Sequence, residues 1–420
     1  MSRKFLVLMI VLLVLIVGCS QKTDKQFREI SWVEYLNKID GGLLGQMIGV
    51  QFGAPTEGLW TGEIIPFDLD DYYSFDRLGL RSEDVDPTYR NDFINWKKIE
   101  LNGSPENDDV YIELLFLHSI NTHGLDLTSR QIADDFIKYI PRDRVWCANA
   151  AAWDNITKGI YPPESGHPKY GWASDDIDFQ IEADLFGLIS PGLPNVSNDW
   201  CWKFGHVMNY GDGVYGGVFV AAMYTAAFFE KDIHKVIEHG LVCIPDSSNY
   251  AKMVRDVVKW HSEYDDWQVA WQKIYDKWYT TPEGDLANAV DVRVNGAYIL
   301  MGLLYGEGDF WKTMNISMRC GMDSDCNPSN AVGILGCILG TESIPEKWKN
   351  PMKDIIYNET LKGIYPDVIK RKDIVLSIAE IGKKMVLKNG GKFENDILYI
   401  PIQKPVPVQY EQSYHVWLDK

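Results

Sequence analysis

The chain has 420 residues, 46% of them apolar and 24% charged, which is enough to bury a sizeable core and too balanced for wholesale disorder. Its 41 Lys and Arg face 59 Asp and Glu, a formal charge of −18 that repels a phosphate backbone and argues against nucleic acid as a partner. Aromatics reach 13%, with 15 Trp and 22 Tyr, so the core is ring-rich or some rings are kept as a stacking surface.

At the front of the chain Arg3 and Lys4 precede an unbroken apolar run from Phe5 to Val17. A bilayer span needs roughly 20 residues, so this run is a secretory leader rather than an anchor helix. Ile16-Val17-Gly18-Cys19 resembles the bacterial lipobox, in which the Cys becomes the lipidated first residue. Residues 1–18 are therefore expected to be a lipoprotein signal peptide, with Cys19 anchoring the protein to the membrane of a bacterial cell envelope, on its periplasmic or surface face. An ordinary signal peptide with a chance Cys is the competing reading. Residues 19–30 are polar and read as a tether. The later cysteines (Cys147, Cys201, Cys243, Cys320, Cys326 and Cys337) contain no CxxC pair, which disfavours a zinc knuckle. They read as mostly small buried apolar residues.

From Trp32 onward the apolar positions follow helical spacing: Val33, Leu36, Ile39, Leu43 and Leu44, then Val110, Leu114 and Leu117, then Val254, Val257 and Val258. The pattern predicts an all-α protein with one large helical domain over residues 31–345. Residues 59–106 and 158–212 are rich in Asp, Gly and Pro and read as long loops that shape a cleft. Beyond Pro345 a helix is expected near Ile374–Leu387. Extended segments follow around Ile397–Ile402 and Val406–Val408, so residues 346–420 read as a small C-terminal appendage.

Three acidic segments stand out. Gly49 to Glu57, ending Gly53-Ala-Pro55-Thr-Glu57, closes the first helix, and its two glycines four apart imply close packing. Asn107-Asp108-Asp109 opens the helix that begins at Val110, where capping and the helix dipole already favour such residues. Asp323-Ser324-Asp325-Cys326 precedes a helix carrying Gly333, Gly336 and Gly340, read as one face against a close neighbour. Capping accounts for one of its carboxylates; two on alternate residues suit ligation of a hard cation.

Together, and in this order, the three segments resemble the ADP-ribosylglycohydrolase family over about residues 35–345. The resemblance implies an all-α fold with one or two divalent ions, Mg²⁺ or Mn²⁺, in a cleft. Position by position it makes Asp108, Asp109, Asp323 and Asp325 metal ligands, with Asn107 and Cys326 where the family has hydroxyl ligands. Glu57 becomes the acid/base near the scissile ribosyl bond. Carboxylate oxygens suit such ions, and an anomeric carbon leaving as an oxocarbenium-like species suits a nearby carboxylate.

The sequence departs from the family pattern at four places. Asn107 and Cys326 replace hydroxyl residues, and the thiol is a softer, poorer Mg²⁺ ligand. Val50 stands where an Asp usually follows the first glycine. In the central segment Glu182, Asp184, Tyr210 and Asp212 replace the usual substrate contacts. A wall carrying Glu182, Asp184 and Asp212 repels a diphosphate, while Trp172, Trp200, Trp202, Tyr210 and Tyr215 are candidates to stack on sugar faces. The expectation is a metal-dependent glycosyl hydrolase acting on an exported glycan or small glycoside. A true ADP-ribosyl hydrolase and an inactive lipid-anchored carbohydrate-binding protein are the alternatives.

Overall fold

A computed structural model of the protein describes residues 27–74, 97–279 and 289–413. The leader and Cys19 lie outside the described residues. The helices, in chain order, are α1 (Trp32–Gly53), α2 (Asp108–His123), α3 (Ser129–Tyr139), α4 (Cys147–Thr157), α5 (Asp178–Ile181), α6 (Asp184–Leu188), α7 (Pro194–Gly205) and α8 (Asp212–Ala227). They continue as α9 (Ile233–Leu241), α10 (Asn249–Glu263), α11 (Trp267–Trp278), α12 (Val292–Tyr305), α13 (Phe310–Arg319), α14 (Cys326–Leu339), α15 (Glu346–Met352) and α16 (Arg371–Lys388). Short strands complete the described chain: β1 (Phe27–Ser31), β2 (Tyr73–Ser74), β3 (Lys97–Lys98), β4 (Ile356–Tyr357), β5 (Val368–Ile369), β6 (Lys392–Glu394) and β7 (Ile397–Pro401). The fold is all-α in class, as the periodicity predicts. Among the described residues no helix is long and apolar enough to cross a membrane.

Two helices set the geometry of the centre. Glycines recur every fourth residue along α1, at Gly41, Gly45, Gly49 and Gly53, so they form one stripe. A Cβ on each would fall 2.3, 2.2, 2.5 and 1.9 Å from the carbonyl oxygens of Gly336, Val332, Pro328 and Ser324 in turn. Those partners descend in the same four-residue steps, so α1 lies backbone to backbone against antiparallel α14 and the loop before it. Each helical glycine costs about 1 kcal/mol against alanine, and the contact offsets this with closely packed backbone. Gly333 does not share this face: it turns to the Tyr224 hydroxyl on α8, while Gly340, at φ +76°, ends α14.

Helix α8 runs through the middle of the molecule, and every one of its residues is buried. It therefore lacks an amphipathic stripe. The segment 158–212, expected to be irregular, instead holds α5, α6 and α7 and is largely buried. Its polar residues read as loop in isolation; here their side chains bond buried backbone. Asn209 Nδ2 reaches Ser174 O at 3.2 Å and Asp176 O at 3.1 Å.

The C-terminal segment packs on the same body. Trp348 is 3% exposed and meets Phe52 of α1 edge-on at 5.5 Å. Strand β1 pairs antiparallel with β7, Phe27 opposite Pro401, so it occupies the last residues of the stretch read as a tether. Strand β6 pairs on the other side of β7, giving the order β1-β7-β6. Beyond β7 the chain crosses the body as a strap. Asn198 Nδ2 donates to Val406 O at 2.8 Å, and Glu411 accepts from His206 Nε2 at 3.1 Å. Ser413 Oγ accepts from Asp212 N, at the start of α8.

Candidate active site

The site forms where the N-termini of α2 and α14 meet beside the end of α1. Asn107 caps α2, its Oδ1 accepting from Asp109 N at 2.9 Å, and this sets Asp108 and Asp109 on the first turn, where the helix dipole favours carboxylates. The α14 side is shaped by two left-handed residues, Gly321 (φ +82°) and Met322 (φ +62°). Met322 N donates to Trp60 O at 2.8 Å and its carbonyl accepts from Gly58 N at 3.1 Å, which ties this loop to the turn carrying Glu57. Thr56 Oγ1 and Ser324 Oγ lie 2.7 Å apart.

Asp323, Asp325 and Cys326 each offer a ligand atom, all within 4.8 Å of one another. Cys326 Sγ donates to Asp109 Oδ1 at 3.2 Å, so the α14 cluster touches the α2 pair directly. Glu57 is exposed at the rim, close enough to Asp323 to act on its charge. Five carboxylates predicted from three distant segments are thus neighbours, together with Asn107 and Cys326.

Their electrostatics follow from crowding. Burial and then Glu57 push the Asp323 carboxyl up to about 7. Burial, followed by Asp108 and Asp325, holds Asp109 well above the ordinary carboxylate range. Asp325 is raised by burial and by Asp323. Asp109 Oδ2 is buried without a hydrogen-bond partner. Closely set carboxyls with an orphaned oxygen fit a hard divalent cation, which would replace protons as the compensating charge. The one soft donor is Cys326, whose thiol is pushed up by burial and the same carboxylates and stays protonated.

The residues expected on a substrate wall divide. Glu182 faces this corner: its carboxyl is raised by burial and then by Asp178, Asp108 and Asp109, Oε1 accepts from Asn149 Nδ2 at 2.6 Å, and Oε2 is buried without a partner. Asp184 does not. It is 1% exposed, bonded to the Tyr224 hydroxyl at 2.7 Å and to Asn330 Nδ2 at 2.9 Å, behind α14. Asp212 is also buried, at the start of α8, and accepts from Tyr250 N at 3.2 Å. Both carboxylates are buried and bonded within the body, so neither presents an open face to solvent. Tyr210 is half-buried between His167 and His206, with ring centroids 4.7 and 5.8 Å away.

Sequence reasoning missed three contributors. Asp176 and Asp178 accept from Ala148 N at 2.7 Å and Asn149 N at 2.6 Å, at the start of α4, and Asp178 is near enough to Asp108 and Asp323 to be raised by them. Asn295 of α12 takes Asp323 N at 3.3 Å and Asn327 Nδ2 at 2.8 Å on one oxygen, holding the α14 loop. Alternating Asp176 and Asp178 repeat the spacing of Asp323 and Asp325 and were a readable signal. Asn295, in the first turn of a largely apolar helix, was not.

The all-α body thus presents a carboxylate corner built on two helix N-termini, a donor set that fits an oxygen-liganded cation. Residues 31–378 match the family model described as ADP-ribosylglycohydrolase, and the chain belongs to that family. Among solved structures it is similar to one titled "ADP-ribosylglycohydrolase-related protein complex", with 14% identity and a TM-score of 0.48, covering 83% of this chain and 99% of that one. None of the curated proteins compared matches the chain. The family supports a glycohydrolase-type function and is generally metal-dependent.

Proposed function

We propose that the protein is a Mg²⁺- or Mn²⁺-dependent glycosyl hydrolase that cleaves a ribosyl-like glycosidic bond in an exported glycan or small glycoside. The observation that carries this reading is the convergence of Asp108, Asp109, Asp323 and Asp325 with Glu57 at their rim. Asp108, Asp109, Asp323 and Asp325 would hold the ion or ions, with Asn107 and Cys326 alongside. A bound divalent ion supplies an electrophile that orients sugar hydroxyls and polarises the bond under attack.

The remaining chemistry falls to side chains. Glu57, exposed at the rim, is placed to take a proton from the attacking water and to stabilise positive charge developing at the anomeric carbon. Glu182 and Asp178 bring two further carboxyls to the same corner, groups that can hydrogen-bond sugar hydroxyls, which favours a neutral sugar. The lipobox-like start adds a lipid anchor at Cys19 in a bacterial envelope, where glycans are the abundant glycosides.

The test is a panel of ribosyl, arabinosyl and pyranosyl nitrophenyl glycosides with an ADP-ribosylated peptide, assayed with Mg²⁺ or Mn²⁺. The reading expects metal-dependent release from a glycoside, abolished in Glu57→Gln. ADP-ribose released from the peptide alone would instead identify a true ADP-ribosyl hydrolase. The Cys326 thiol, standing where a hydroxyl ligand is usual, favours the second reading of an inactive binding protein, which predicts no turnover on any member.

A further inference from the structure

We propose that a groove beside the acidic corner, flanked by Trp146 and Trp172, binds a neutral pyranose ring of the substrate next to the scissile bond. This deepens the glycan reading above and rests on it. The groove is a cavity of about 430 Å³ whose lining includes Trp146, Cys147, Ala151, Tyr170 and Trp172. Trp146 is 55% exposed and Trp172 43%. Among the described residues no other tryptophan is exposed, and both line this one cavity. An isolated exposed ring needs no explanation, but the two costliest rings to leave in water sharing one groove mark a ligand site.

The groove is preformed. Asn155 Nδ2 donates to Ser165 O at 2.9 Å and to Tyr170 O at 3.3 Å, pinning the loop that carries Tyr170 and Trp172. Gly171 lets that loop lie against α4, where a Cβ would come 3.2 Å from the Ala151 Cβ. On the rim, Arg142 grips Asp154 through two nitrogens at 2.8 and 3.1 Å, a planar pair able to exchange hydrogen bonds with equatorial hydroxyls. A pyranose ring offers what this lining recognises, an apolar C–H face for the aromatic rings and a hydroxyl edge for the polar rim.

Cys147 joins the groove to the acidic corner. It lines the cavity and directly precedes Ala148 and Asn149, whose amides donate to Asp176 at 2.7 Å and to Asp178 at 2.6 Å. Its backbone sits at φ +43°, a conformation that non-glycine residues seldom hold and that strained sites near function often keep. Two other cavities, of about 390 and 350 Å³, are lined by residues around Arg28 and His239 and around Trp200 and Lys388, and neither has an exposed tryptophan.

The test is tryptophan fluorescence and calorimetry at pH 7 on wild type, Trp146→Ala and Trp172→Ala, with cellobiose, xylobiose and mannobiose as probes and AMP as a comparator. Both rings are exposed, so the alanine variants are expected to keep the wild-type circular dichroism and Tm. At least one disaccharide should quench the wild type and bind roughly tenfold more weakly to each alanine variant, with Trp146→Phe restoring most of the loss. No binding by any disaccharide, unchanged affinity in the alanine variants, or AMP quenching these rings more strongly than every sugar would each overturn the site. Asp325→Asn separates the two proposals. Sugar binding kept in that variant while the wild type hydrolyses nothing supports the groove and fails the hydrolase. Hydrolysis of small glycosides with no binding at the tryptophans does the reverse.

Discussion

Gly53→Ala is the sharpest probe of how the fold builds the site. A Cβ there would lie 1.9 Å from Ser324 O and 2.5 Å from Asp325 Cα, both backbone atoms of the acidic loop. An ordinary carbon–oxygen contact is roughly 3.3 Å, so the loop must retreat by about 1.4 Å. Overpacking of this kind costs about 1–3 kcal/mol, against a gain of about 1 kcal/mol in helix propensity. The net change in stability is thus modest, a Tm lower by a few degrees. The change at the site is not modest, because metal–ligand distances tolerate only about 0.2 Å. Mn²⁺ affinity is expected to fall at least tenfold while circular dichroism stays native. Gly363→Ala is the control: its Cβ meets only the Tyr139 ring, at 3.5 Å, so stability and metal binding should not change. Gly53→Ala binding Mn²⁺ as the wild type does would refute the claim that this glycine stripe sets the ligand geometry.

Other outcomes follow from the same physics. In metal-free protein held in chelator, Asp323 and Asp176 have carboxyls pushed up to about 7, so the folded chain holds protons that the unfolded chain releases above about pH 4. Their stabilising contribution is complete below that pH and is lost as pH rises through about 7; the apo Tm should fall from pH 5 to pH 8, and a flat or rising profile would contradict it. Added Mn²⁺ should raise Tm strongly at pH 8 and little at pH 5, because protons compete for the same oxygens. Asn295→Ala frees Asp323 N and Asn327 Nδ2 and should cost about 1–3 kcal/mol in denaturant melts, with weaker Mn²⁺ binding in titration. Cys326→Thr replaces the soft donor by a hard one and should tighten Mg²⁺ more than Mn²⁺ by calorimetry.

The helices, their glycine contacts near Gly49 and Gly53, and the two helix-opening acid pairs were legible from local rules, capping by Asn107 for the first pair and alternate spacing for the second, where Asp325 makes no cap bond. What stayed hidden depends on partners far away in sequence. Asp184 and Asp212 read as acids of a substrate wall because nothing local reveals that Tyr224, Asn330 and the Tyr250 amide will bond them inside the body. Residues 402–413 read only as part of a C-terminal appendage, and nothing local reveals that their bonds run to Asn198, His206 and Asp212 across two hundred positions. Trp146 went unremarked because sequence cannot separate an exposed tryptophan from a core one; of the aromatic candidates named, Trp200 and Tyr215 proved buried and Trp172 exposed.

The central claim is that Asp108, Asp109, Asp323 and Asp325 hold a divalent cation. Calorimetric titration of Mn²⁺ into chelator-treated protein at pH 8, beside Asp325→Ala, tests it directly. Binding of one or two ions by the wild type, lost or weakened at least tenfold in Asp325→Ala with the fold intact, is the predicted result. A wild type that binds no Mn²⁺ or Mg²⁺, or a variant that binds as well as the wild type, would contradict the account.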